Sequence, residues 1–317
     1  RIAEELHLTE EQVKNTLELL EGGATIPFVA RYRKEATGSL DEVQIGQIKE
    51  LHTKWVELDK RRAAILDSIR EQGKLTPELE AKINEVLSMS ELEDLYLPYR
   101  PKRKTRATMA IEKGLEPLAK TISMQKEMDL HGLASRFVNE AKGVHNIEEA
   151  LAGARDIIAE HISENLSVRA RLRNTFRQHS RIYSKLIKDK VDEGEKFKIY
   201  YNAEELLAKA PSHRILAMFR GEEEGVLRLS IEPNEEKTLE MLKRAIIRNN
   251  SNCAQQVWMA VIDAYKRLLQ PQMETEMRKL YKDKADTEAI EVFAQNARQL
   301  LMAAPLGQVT TLAIDPG

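Results

Sequence analysis

Apolar residues recur three and four apart along most of this chain, the spacing of amphipathic helices, and alternate in only a few short stretches. The first clear helix opens at Thr9-x-x-Gln12, a capping box whose two side chains satisfy orphan backbone donors. Val13, Leu17 and Leu20 form its apolar face, and Gly22-Gly23 ends it. Pro27 suits the first turn of a second short helix running toward Lys34. Two short helices about a glycine turn have the outline of a helix-turn-helix, an outline that plain packing hairpins share.

The longest pattern starts at Ser39-x-x-Glu42, read as a second capping box, and runs to about Gln72 with Gly73 as its stop. Ile48, Leu51, Trp55, Leu58, Ile65 and Ile69 make an apolar seam that Arg62 interrupts. Such a face needs a partner, expected within the chain. Further helices are predicted from Thr76-Pro77 to Leu87, from Ser90-x-x-Glu93 to Tyr96, near Ala110, near Leu130, at Asn146-x-x-Glu149, and from Val168 at least to Ile187. FKIYY (197–201) and VLRLSI (226–231) read as strands, with GEEEG (221–225) as a turn. Helices return from Glu235 to Ala303, with expected breaks at Asn249-Asn250, Pro271 and about Lys284. TTLAIDPG closes the chain as an apolar strand and a turn. The reading is a mainly α protein with a minor two-strand element, divided into a helical domain over 1–190 and a central domain over 191–305.

Composition agrees with helix, because Ala, Leu, Glu, Lys and Arg dominate and Gly and Pro are scarce. One cysteine, Cys253, allows no internal disulfide and fits a reducing cytoplasm. No run of about 18 apolar residues exists to cross a membrane, so no membrane partner is expected. The opening RIAEELHL is charged at once and has no signal-peptide apolar core. It begins with Arg, and the chain stops at AIDPG, so a piece of a longer protein is expected.

Charge changes the picture more. The net charge is −2, yet five of the seven residues from 100 to 106 are basic. These are Arg100, Lys102, Arg103, Lys104 and Arg106, and they follow Pro98 and flank Pro101. Proline lacks an N–H and pushes the preceding residue toward extended geometry, so LPYRPKRK reads as a stiff loop with Leu97 and Arg100 extended. Five like charges so close repel unless carboxylates or an anion answer them. Arg presents a planar fork that matches phosphate oxygens, and nothing in the segment would read bases. Two answers therefore stand: carboxylates of neighbouring helices, or a nucleic-acid backbone. Arg31, Arg33 and Lys34 cluster at a helix end as a second candidate patch. Arg169, Arg173, Arg177 and Arg181, four apart, would form one helical stripe widened by Arg171, Lys185 and Lys188. That stripe fits a solvated face, or one paired with the acidic 191–236 region, with phosphate contact second.

Metal and nucleophile chemistry finds no foothold. The seven His stand in no HExxH or CxxC-type setting, and neither GxSxG nor a P-loop occurs, so no metal or cofactor is expected. Asp315 ends an apolar strand, but two-metal chemistry needs several converging carboxylates.

Four stretches carry a resemblance. IPFVARYRKEATGSLDEVQI (26–45), DLYLPYRPKRKTRATMAIEKGLEPLA (94–119), PSHRILAMFRGEEEGVLRL (211–229) and LAIDPG (312–317) resemble the Tex family of bacterial transcription accessory proteins. Ile111 stands where a basic residue would be expected. The resemblance implies a helical N-terminal region with a helix-turn-helix-like portion, then a YqgF domain of RNase H-like fold, helix-hairpin-helix motifs and an OB-fold RNA-binding domain. On that basis 306–317 is the stub of the YqgF domain, and Asp315 matches its first acidic position. It further implies nucleic-acid binding linked to transcription, and the expectation for the whole protein is contact with an RNA or DNA backbone without reading sequence and without catalysis, with RNA polymerase as the protein partner to which the helices would dock. The competing expectation is a protein–protein scaffold with no nucleic-acid contact in this segment.

Overall fold

The structure, a computed structural model, describes residues 1–101, 104–188, 194–304, 307, 310 and 312–314. The fold is mainly α, as the periodicity requires, and it separates into two compact units, Arg1–Pro101 and Lys102–Gly317. The division expected at residue 190 falls between two paired strands of one sheet.

The first unit holds α1 (Ile2–Leu6), α2 (Glu10–Glu21), α3 (Ile26–Tyr32), α4 (Lys34–Thr37), α5 (Glu42–Glu71), α6 (Pro77–Glu85) and α7 (Met89–Tyr96). The Thr9–Gln12 capping box forms in both directions. The second box does not fall at Ser39. Gly38 and Ser39 both take left-handed backbone, with φ of 65°, whereas an N-cap residue is extended. The cap is Asp41, whose carboxylate accepts the Gln44 N–H at 2.8 Å while Gln44 accepts the Asp41 N–H at 3.1 Å.

The 30 residues of α5 serve two cores. Ile45 and Ile48 pack with Val13, Val29 and Leu40; Leu58, Ile65 and Ile69 pack with Ile83, Leu92 and Tyr96. The seam therefore finds its partners inside the chain, and the Arg62 interruption has a structural cause. Its guanidinium lies buried over the C-terminal end of α6, donating to the Ile83 carbonyl at 3.1 Å and the Val86 carbonyl at 2.7 Å, with Asp59 as its ion-pair partner. Helix ends leave such carbonyls without intrahelical donors.

The second unit runs α8 (Arg106–Glu112), α9 (Glu116–Ser123), α10 (Leu130–Ser135), α11 (Ile147–Glu164), α12 (Leu166–His179), β1 (Arg181–Leu186), β2 (Asn202–Leu206), α13 (Ser212–Glu223), β3 (Leu227–Glu232), α14 (Glu235–Ile246), α15 (Asn252–Asp263) and α16 (Gln270–Leu301). Its sheet is antiparallel in the order β2-β1-β3, and one continuous core gathers α8 to α16.

Several local expectations fail here for physical reasons. Residues 181–186 are strand rather than helix: Ile182 and Ser184 are buried, alternating with outward neighbours, and the four-residue spacing of arginines masked that period of two. FKIYY is a 3-10 turn over Glu195–Tyr200, because Phe197 and Tyr200, three apart, are its buried pair; the strand follows it. Leu97 is helical, opening a 3-10 turn with Pro98, while Arg100 is extended as expected. Most of GEEEG belongs to α13, and only Glu224-Gly225 turns. Neither Pro271 nor Lys284 breaks the chain's course: a π turn over Ala264–Leu269 joins α15 to α16. The break at Asn249-Asn250 is present. The closing strand expectation lies largely outside the described residues, and Thr310 and Leu312–Ile314 are not in strand. Among the described residues no helix is long and apolar enough to cross a membrane.

Candidate nucleic-acid interface

The residues preceding the basic run are fixed to α5. Ser68 and Tyr96 hydroxyls lie 2.9 Å apart, Gln72 donates to the Tyr99 carbonyl at 2.7 Å, and Arg61 holds Glu93 through two bonds of 2.5 and 3.1 Å. The Glu93 bond holds the Arg61 proton more tightly than usual. Arg100 then follows with its N–H on the Tyr96 carbonyl at 2.9 Å and its side chain exposed. Among the described residues no carboxylate lies within ion-pair distance of it.

On the second unit, Thr105 caps α8 reciprocally with Thr108, at 3.0 and 2.7 Å, and so sets Arg106 at the first helical position. Lys104 is exposed and meets Glu112 only at 3.8 Å, a distance and exposure at which a pair contributes little. Arg106 is exposed and acts on Asp156 at longer range. Burial pushes the Asp156 carboxyl up, while Arg267 and then Arg106 pull it down. Lys102 and Arg103 lie outside the described residues, as does Asp315.

The second candidate patch is more fully answered. Arg31, at the end of α3, pairs with Glu42 at 3.2 Å, and Arg33, the residue between α3 and α4, pairs with Glu35 at 3.1 Å. Lys34 is exposed at the start of α4. Sequence reasoning missed the aromatics beside them. Phe28 and Tyr32 are 46% and 69% exposed, with ring centroids 5.4 Å apart. Their i, i+4 spacing on a helix whose Val29 and Ala30 are buried was the available signal.

The arginine stripe does not survive as one face. Arg169 and Arg173 are buried against α16, Arg169 donating to Gln272 at 2.9 Å and Arg173 to Glu276 at 2.6 Å. Arg181 sits in β1 and pairs with Glu204 at 2.5 Å. Arg177 and Arg171 are exposed. Among the described residues no group of three or more His, Cys, Asp or Glu is arranged to hold a metal ion. Cys253 is buried, and burial pushes its thiol up.

Comparison with known proteins bears on what these surfaces serve. The profile of the Tex central region-like family matches residues 125–293, and that of the Tex-like protein N-terminal domain matches residues 1–70. The chain belongs to the Tex family. Within it, the chain is 42% identical over 319 residues to the uncharacterized protein YdcI of Bacillus subtilis, covering 100% of this chain and 44% of that protein. It is 39% identical over 322 residues to the transcriptional accessory protein Tex of Neisseria gonorrhoeae, covering 100% and 42%. A more distant relative is the human S1 RNA-binding domain-containing protein 1, 28% identical over 318 residues, covering 96% of this chain and 32% of that protein. The chain thus spans less than half the length of these Tex-family relatives.

Proposed function

We propose that this chain is the helical N-terminal part of a transcription accessory protein, and that it contacts nucleic-acid backbones without reading sequence and without catalysis. The contacts are Arg100, Lys102, Arg103, Lys104 and Arg106, with Arg31, Arg33 and Lys34 as a lesser patch. The observation that carries this reading is the state of the described loop bases: Arg100, Lys104 and Arg106 are all exposed, and among the described residues their one ion pair is the loose 3.8 Å approach of Lys104 to Glu112. The names of two relatives, a transcriptional accessory protein and an S1 RNA-binding domain-containing protein, support the same direction.

The test is to replace the five loop bases by Ala and titrate labelled RNA and DNA across a salt series. Each phosphate that the protein no longer neutralises should reduce the salt slope by about 0.7 on a single strand and about 0.9 on duplex DNA. A slope equal to that of the unaltered protein would return the loop to a structural role. A second reading, a docking scaffold for the transcription machinery, is favoured by one feature: Ile290, Phe293, Leu300 and Leu301 of α16 are each at least two-thirds exposed, an unusual apolar load for an exposed helix segment.

A further inference from the structure

Beyond the loop, the second unit carries a basic trough along one side of α12. Three hollows of about 380, 420 and 730 Å³ follow one another there. The first two share Arg171 and Ala245; the second and third share Lys237 and Met241. Together they track α12 from Asn165 to His179, with α14 as the opposite wall. The 14 residues of α12 make that path about 21 Å long.

The charge in the trough is one-sided. Among the described residues the first hollow holds His161, Arg171 and Arg248 and no carboxylate. Among the described residues two acids line the other two, and both are paired: Glu240 with Arg244 and Glu204 with Arg181. Arg171, Lys237 and Arg248 are exposed, and among the described residues none of them is within ion-pair distance of a carboxylate. Three exposed cations along one concave path raise its positive potential, which favours a polyanion there.

Arg248 is held in place by its backbone. Gln125, buried and with a left-handed φ of 56°, clamps the α14–α15 connection from beneath. Its side chain accepts the Arg248 N–H at 2.9 Å and donates to the Ile246 carbonyl at 3.0 Å. Its own carbonyl accepts from Asn249 at 2.7 Å and Ser251 at 2.9 Å. A non-glycine residue persists in that conformation where its surroundings over-determine it. Here four hydrogen bonds do so, and they present Arg248 to the same hollow as Arg171.

We infer that the α12–α14 trough is a second nucleic-acid site, taking a phosphodiester backbone along Arg248, Arg171 and Lys237. It rests on the reading of the chain as a nucleic-acid-binding protein, but not on the loop at 100–106. Two of its three free cations are arginines, whose planar forks match phosphate oxygens. No Phe, Tyr or Trp is among the described residues lining the first two hollows, so the contacts proposed there are to backbone and not to stacked bases.

The deciding experiment compares the 317-residue chain with an Arg171→Ala/Lys237→Ala/Arg248→Ala variant and, separately, with the five-base loop variant. Fluorescein-labelled oligothymidylate and a labelled DNA duplex are titrated across a salt series, and denaturant midpoints check that each variant is folded. The trough variant should lose about 2 from the salt slope on the single strand and about 3 on the duplex. The Arg171→Lys/Lys237→Arg/Arg248→Lys variant should keep most of it. An unaltered slope in the Ala variant overturns the trough whatever the loop variant does, and the loop reading stands or falls on its own variant. Equal loss of binding to polyglutamate would also overturn it, because the trough would then be a seat for acidic protein.

Discussion

Arg62 donates from Nε to the carbonyl oxygen of Ile83 at 3.1 Å, and this bond ties the middle of the longest helix in the first unit to the end of a neighbouring one. Arg62→Met would keep the apolar stem and remove the donors. The Ile83 and Val86 carbonyls would then be without a charged partner, at a cost of about 1.5–3 kcal/mol for each such bond. The expected outcome is a first unit that unfolds at lower denaturant, followed by Trp55 fluorescence in a Trp258→Phe background. Unaltered stability would mean that water replaces the guanidinium at no cost.

A pair of glycines should respond in opposite directions to the same substitution. A Cβ on Gly153 would stand 2.4 Å from Leu115 Cδ1 and 3.3 Å from Ala110 Cβ, where α11 passes α8. Gly153→Ala should therefore destabilise the second unit by about 1–3 kcal/mol through overpacking. Gly46, within α5, has nothing within 4 Å of its missing Cβ. There Ala gains helix propensity, and Gly46→Ala should stabilise the first unit by up to about 1 kcal/mol. Denaturation of single-tryptophan forms, Trp258 for one unit and Trp55 for the other, reads both. A stabilising Gly153→Ala would show that Leu115 moves aside freely.

Alkali should loosen the second unit through Tyr265. Burial pushes its hydroxyl up to about 12 from the ordinary value of 10.0. In the unfolded chain the proton leaves from about pH 10, whereas the folded chain holds it to about pH 12. Between those values the unfolded state binds fewer protons. Stability is therefore intact below pH 10 and falls as pH rises, by about 1.4 kcal/mol per unit. Burial shifts Tyr281 and Tyr183 the same way, which steepens the decline. Denaturant midpoints measured on either side of pH 10 should show the decline, and Tyr265→Phe should flatten it. Equal slopes in the two proteins would remove Tyr265 as the cause.

Helix was legible in the sequence wherever one face was consistently apolar. The Thr9 box and the α5 seam could be read residue by residue, and so could the Gly73 stop. What could not be read was decided at a distance. Arg62 breaks a local pattern in order to satisfy carbonyls 21 and 24 residues away. Arg181 has helical spacing from Arg177, yet it pairs across a strand with Glu204. Ser39 has the chemistry of a cap, but the left-handed backbone beside Gly38 denies it the role. The loop bases were visible at once, because clustered charge is a property of the sequence itself. The trough was not, because Arg171, Lys237 and Arg248 come together only when α14 lies against α12.

The π turn over Ala264–Leu269 sets the rotational phase of everything that follows it. A wider turn delays the helix by a fraction of a revolution, and one residue of an ordinary helix corresponds to about 100°. That delay points Met273, Met277 and Tyr281 inward while Pro271 sits where its missing N–H is tolerated. A length change within these six residues would act like a slipped gear tooth: the helix would continue unbroken, but present its polar flank to the interior.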